Sequence, residues 1–184
     1  YLYEVKIPFY QTQGNNMVFG YIRISTADQS ADSQKSLIAR YIVERKMIVD
    51  EWIEVEVMIE APIQEVWEKW TTGEHVTKWN FAHESWCCPS ARIDLRKGGA
   101  FSFRMEAVDG SAGFDFEGAY DSVEDQEFLA ITLADGRKWE VEFSDLGSST
   151  HVMERFHPET ENTLELQEQG WQAILNQFKS YCEE

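Results

Sequence analysis

Residues 91–143 read ARIDLRKGGAFSFRMEAVDGSAGFDFEGAYDSVEDQEFLAITLADGRKWEVEF. Ala91, Ile93 and Leu95 alternate with Arg92, Asp94 and Arg96 up to Gly98-Gly99. Phe101, Phe103 and Met105 alternate with Ser102, Arg104 and Glu106 up to Asp109-Gly110. Phe114 and Phe116 alternate with Asp115 and Glu117, and residues 128–133 are an apolar run closing at Asp135-Gly136. Trp139, Val141 and Phe143 then alternate with Lys138, Glu140 and Glu142. A period of two belongs to a strand, because successive side chains point to opposite faces. Glycine turns between such runs make hairpins, so the stretch predicts an antiparallel meander. A last strand is expected over about 150–156.

On the N-terminal side, IEVEVMIE (53–60) alternates in the same way and predicts another half-buried strand. Pro62 suits the first turn of a helix. Ile63, Val66, Trp67 and Trp70 follow at helical spacing, and a second short helix is expected over Glu74–Trp79. On the C-terminal side, residues 164–182 predict a long helix with Trp171, Ile174, Leu175, Phe178 and Cys182 on one face. A sheet with one apolar face must cover it. The expected fold is therefore α+β: a curved antiparallel sheet wrapped around the C-terminal helix, with room for a cavity between them. Residues 17–25 predict a strand and 28–46 a helix, a β-α appendage ahead of the main domain. The expected division is a leader over 1–16, non-native or unstructured, with Met17 as the natural start; an appendage over 17–52; and a domain over 53–184.

Aromatics make up 14% of the 184 residues, enough to build a core and to exclude disorder. Net charge is −17, of which residues 57–184 carry −15. So acidic a domain repels phosphate backbones and anionic lipid, which excludes nucleic-acid and membrane-surface partners. No apolar run approaches the roughly 18 residues a spanning helix needs, and no signal peptide is visible. Cys87, Cys88 and Cys182 are an odd set with one adjacent pair, which points to free thiols in a reducing, cytoplasmic setting. A monomer or homodimer without cofactor is expected.

The segments APIQEVWEKWTTGEHVTKWN (61–80), DLRKGGAFSFRMEAVDGSAGFDFEGAY (94–120), ERFHPE (154–159) and ELQEQGWQAILNQFKSY (165–181) resemble the SRPBCC (START-like) superfamily. More narrowly they are similar to bacterial homologues of the activator of the heat-shock protein 90 ATPase. The resemblance implies a helix-grip fold from about residue 53. In the family pattern a His stands at Cys87 and an Asn at Ile93, so any role of those groups does not carry over. Separately, FGYIRISTADQSADSQKSLI (19–38) resembles the start of a serine recombinase catalytic domain, which would make Ser25 a nucleophile and Arg23 a phosphate ligand. The resemblance stops near Val55. One Ser and one Arg do not supply the cationic cluster phosphoryl transfer relies on, so these residues are read as vestigial.

Three candidate chemistries stand out. His75, His83, Cys87 and Cys88 lack the ligand spacing of a zinc site, and burial as small hydrophobes is the favoured reading of the cysteines. Glu154 shares a strand face with Val152 and Phe156, which carries a carboxylate into an apolar interior. It is either half of a structural ion pair, with Arg104 as an available partner, or an orienting or acid–base group in a cavity; the ion pair is favoured. The expected ligand-lining set is aromatic: Trp70, Trp79, Trp86, Phe103, Phe114 and Phe116, with Trp139, Trp171 and Phe178. Met105, Glu154 and Leu175 complete it. Gly170 beside Trp171 either leaves room for a ligand or permits close helix–sheet packing. No catalytic set is legible. The leading expectation is non-enzymatic binding of a small hydrophobic molecule between sheet and C-terminal helix, in a stress or resistance setting. The alternatives are a chaperone partner and a cyclase- or hydrolase-like enzyme.

Overall fold

The computed structural model describes residues 5–13 and 16–24 by backbone and 52–184 in full. The chain divides into two compact units, Tyr1–Val49 and Asp50–Glu184. In the first, β1 (Val5–Gln13) pairs antiparallel with β2 (Asn16–Ile24). Thus Val5–Gln13, inside the stretch expected to be a leader, is a strand. The helix expected over 28–46, and Ser25, lie outside the described residues, as does the side chain of Arg23.

The second unit runs β3 (Ile53–Ile59), α1 (Ile63–Thr71), α2 (Gly73–Trp79), β4 (Trp86–Ile93), β5 (Ala100–Ala107), β6 (Gly113–Glu124), β7 (Phe128–Leu133), β8 (Lys138–Asp145), β9 (Thr150–Phe156) and α3 (Leu164–Cys182). Strands β4 to β9 form one antiparallel meander, and β3 joins beside β9, giving the order β3-β9-β8-β7-β6-β5-β4. The first strand of the unit thus lies against its last, and β3 and β4 are the two edges of the sheet. Alternation sets the faces: Ile53, Val55, Val57 and Ile59 are buried while Glu54, Glu56 and Met58 are exposed. Register shifts between Cys87 and Ser90 and between Tyr120 and Ser122 mark bulges, which bend strands and sharpen twist.

Local structure departs from the sequence pattern in two places. Strand β4 begins at Trp86, ahead of the alternation at Ala91. Pro89 sits in its irregular section, on the edge strand, where a missing N–H breaks no interior ladder. Pro62 is the residue before α1 rather than part of its first turn; its carbonyl accepts from the Glu65 and Val66 N–H groups at 3.0 and 3.2 Å. Helix α3 is capped by Thr163, whose hydroxyl accepts from the Leu166 N–H at 3.3 Å.

The core is heavily aromatic, and α3 packs unevenly along its length. Towards its C-terminal end Leu175 and Phe178 are fully buried. The Phe178 ring lies 4.8 Å from Trp70 and 4.6 Å from Trp79, so α1 and α2 wedge beneath this half. Lys69 on α1 donates to the Tyr181 and Cys182 carbonyls, satisfying the end of the helix. Towards the N-terminal end, by contrast, Trp171 and Ile174 are only half-buried and face open space.

Candidate functional site

A cavity of about 310 Å³ lies between the sheet and the N-terminal half of α3. Its sheet wall is built by inward positions of consecutive strands: Phe103 and Met105 on β5, Phe114, Phe116 and Tyr120 on β6, Ile131 on β7, Trp139 on β8 and Glu154 on β9. Pairing sets these side chains in rows, with Phe103 opposite Phe116 and Met105 opposite Phe114. Trp70 and Trp79 close one end, and Trp171 and Ile174 form the helix wall. Trp171 stacks on Phe156 at 3.8 Å and meets Trp139 edge-on at 5.5 Å, so the wall is held by aromatic packing on both sides.

Of the two carboxylates among the described lining residues, Glu154 is the buried one, 3% exposed, and Glu159 belongs to the loop after β9. Trp139 lies opposite Phe156, so Glu154 is its diagonal neighbour on the same face. The Trp139 indole N–H donates to Glu154 Oε2 at 2.8 Å. Among the described residues nothing donates to Oε1. Burial pushes the carboxyl up to about 8, and the Trp139 hydrogen bond only partly offsets it. At neutral pH the group is an uncharged acid. The ion pair with Arg104 does not form. Arg104 sits between Phe103 and Met105 and therefore points to the other face, where it pairs with Glu106 at 2.8 Å and Asp115 at 3.3 Å.

Two further interior polar groups come with it. Tyr120 is buried and its phenol is pushed upward by burial; its hydroxyl has no hydrogen-bond partner among the described residues. Asn80, just past α2, donates to Met105 Sδ at 3.5 Å. The mouth is polar. Gln167 on α3 donates to the Glu159 and Asn162 carbonyls and accepts from the Glu159 N–H, tying down the loop after β9. Arg137 donates to Asp135 at 2.7 Å and to the His157 carbonyl at 3.3 Å.

The structure thus brings together Trp70, Trp79, Phe103, Met105, Phe114, Phe116, Trp139, Glu154 and Trp171. It leaves three expected lining residues elsewhere. Leu175 and Phe178 plug the core under the other half of α3, and Trp86 is half-buried beside Phe114 at the sheet edge. Gly170 permits no close packing: a Cβ there meets nothing within 4 Å, and it does not line the cavity. The histidines and cysteines also disperse. His75 bonds Tyr181, His83 bonds Ser85, and Cys87 donates to the Glu106 carbonyl. Cys88 is 2% exposed and its thiol is pushed up to about 11, the reverse of what a nucleophile needs. No metal-holding cluster occurs among the described residues.

A family model described as Activator of Hsp90 ATPase homolog 1-like protein matches residues 60–183, which carry every cavity-lining side chain. The chain belongs to this family. An AHSA1-like protein from Aeromonas hydrophila, solved in solution, is 40% identical, covering 71% of this chain and 91% of that one at a TM-score of 0.68. A Cytophaga hutchinsonii protein, also solved in solution, is 46% identical, covering 70% of this chain and 90% of that one at a TM-score of 0.63. The Aha1 dimer from Colwellia psychrerythraea, 13% identical over 72% of this chain and 96% of that one, shares the fold at a TM-score of 0.58. No curated protein matches the chain. The helix-grip architecture expected from the resemblance is the one observed. The family match begins at residue 60, so the recombinase resemblance of residues 17–55 gains no support from it. No helix among the described residues is long and apolar enough to cross a membrane.

Proposed function

We propose that residues 53–184 form a non-enzymatic binding domain for a small hydrophobic molecule, held between the sheet and the N-terminal half of α3. One observation carries this reading: the cavity of about 310 Å³, walled by aromatic side chains on three sides and gated by a polar mouth. That volume is at the small end of the ~300–1,000 Å³ typical of ligand sites, and a mainly apolar wall with a few placed polar groups is their usual chemistry. The three free cysteines suit a reducing compartment, so the cytoplasm is the proposed setting. Native mass spectrometry of the protein from its own source, with Trp quenching by added lipophilic compounds, tests the reading. Ile174→Trp fills the cavity from the half-buried helix wall and is expected to abolish quenching while the fold persists. Quenching that survives this substitution places the ligand elsewhere.

A second reading rests on Glu154. A buried acid with an oxygen free towards a cavity is also what a cyclase- or hydrolase-like enzyme would use for proton transfer. Turnover of a bound compound, lost in Glu154→Gln, decides for it. A chaperone partnership draws on the family description, and ATPase stimulation of the cognate heat-shock protein tests it directly.

A further inference from the structure

From the geometry around Glu154 we infer that the ligand is uncharged and carries a hydrogen-bond-accepting oxygen, a ketone, ester or ether, which docks on Glu154 at the inner wall of the cavity. This deepens the binding reading above and rests on it. Oε2 is already an acceptor, filled by the Trp139 N–H at 2.8 Å. In the uncharged acid the proton therefore sits on Oε1, which has no acceptor among the described residues, and Glu154 is one of the residues that line the cavity. Inside an apolar wall such a donor needs an acceptor, and a ligand oxygen supplies one. Burial holds the acid uncharged at neutral pH.

The surroundings argue against charged ligands. An anion needs a cation, and Arg137, the cation among the lining residues, is already held by Asp135 and the His157 carbonyl at the mouth. An ammonium would require Glu154 to ionise, so that two charges lose water in an aromatic shell, a cost their attraction repays only with excellent geometry. A neutral donor–acceptor pair carries neither penalty. Tyr120 lines the same wall, and its hydroxyl, without a protein partner among the described residues, offers a second contact.

Four probes of one size separate the possibilities: 2-acetylnaphthalene, 2-ethylnaphthalene, 2-naphthoate and 2-naphthylmethylamine, each titrated by Trp quenching against wild type, Glu154→Gln and Glu154→Leu. The ketone is expected to bind best. Its advantage over the hydrocarbon should be about fivefold larger in wild type than in Glu154→Leu, the scale of one neutral hydrogen bond. Glu154→Gln, which keeps a donor, should retain most of it. Tightest binding by the amine or the naphthoate overturns the inference, as does a ketone advantage unchanged in Glu154→Leu. In those cases the cavity reading stands. Absence of binding by all four, the hydrocarbon included, overturns both.

Discussion

Replacing Glu154 with Gln removes a titration and leaves the hydrogen bond from Trp139 an oxygen to meet. The carboxyl lies near 8 in the folded protein against an ordinary value of 4.5. Below 4.5 the acid is protonated both folded and unfolded, and burial of its charge costs nothing. Between 4.5 and about 8 the unfolded chain has released the proton and the folded one has not, so stability falls as pH rises. Each pH unit in that window is worth about 1.4 kcal/mol. The cost therefore reaches about 3 kcal/mol at pH 7 and levels off near 5 kcal/mol above pH 8. Other ionisable groups cancel in the comparison of the two proteins. Urea unfolding of wild type and Glu154→Gln at pH 5, 7 and 8.5 should show a small gap at pH 5. The variant should then gain, by about 3 kcal/mol or roughly 10 °C in Tm at pH 7. A gap that stays constant from pH 5 to 8.5, or a variant less stable than wild type at pH 7, refutes the assignment of Glu154 as an uncharged buried acid.

Three further outcomes follow from packing. Gly118 lies opposite Phe101, and an added Cβ would stand 2.7 Å from the Phe101 ring and 2.8 Å from the Thr132 carbonyl oxygen, so Gly118→Ala should cost about 1–3 kcal/mol in denaturant unfolding. Gly170→Ala meets open space in the middle of α3 and should stabilise by about 0.5–1 kcal/mol without changing probe affinity. Iodoacetamide at pH 8, read by mass spectrometry, should spare Cys88 and Cys182, whose thiols burial pushes up to about 11 and 12, until the protein is unfolded, when all three cysteines react.

The sheet was legible because alternation is a local signal. Strands β5 and β8 fall where apolar residues recur every second position, β7 falls on the apolar run 128–133, β9 spans the expected 150–156, and α3 spans the residues its apolar stripe predicts. The same logic places Glu154 inward and Arg104 outward, so the missing ion pair was legible too: Arg104 stands between two inward residues, Phe103 and Met105. What periodicity does not carry is how deeply neighbouring elements interpenetrate. Leu175 and Phe178 share a stripe with Trp171, yet α1 and α2 press under one half of α3 and leave the other half over a cavity. Tyr120 continues the Phe114–Phe116 alternation and was missed because the run breaks at Gly118. Gln167 had a signal of its own, a polar residue one turn before Trp171 on the buried stripe. Asn80 and Arg137 sit at element ends, where no period operates.

The pairing of β3 with β9 also has a consequence for synthesis. Ile53 emerges from the ribosome long before its partner Phe156, so β3 must wait, unpaired, until the whole meander has been made. A strand with Ile53, Val55, Val57 and Ile59 on one side is an aggregation hazard while it waits. Glu54, Glu56 and Glu60 interleave with those residues and act as gatekeepers, their charge discouraging association with another nascent copy. Acidity that in the finished domain is only surface charge thus protects its earliest strand before the fold exists.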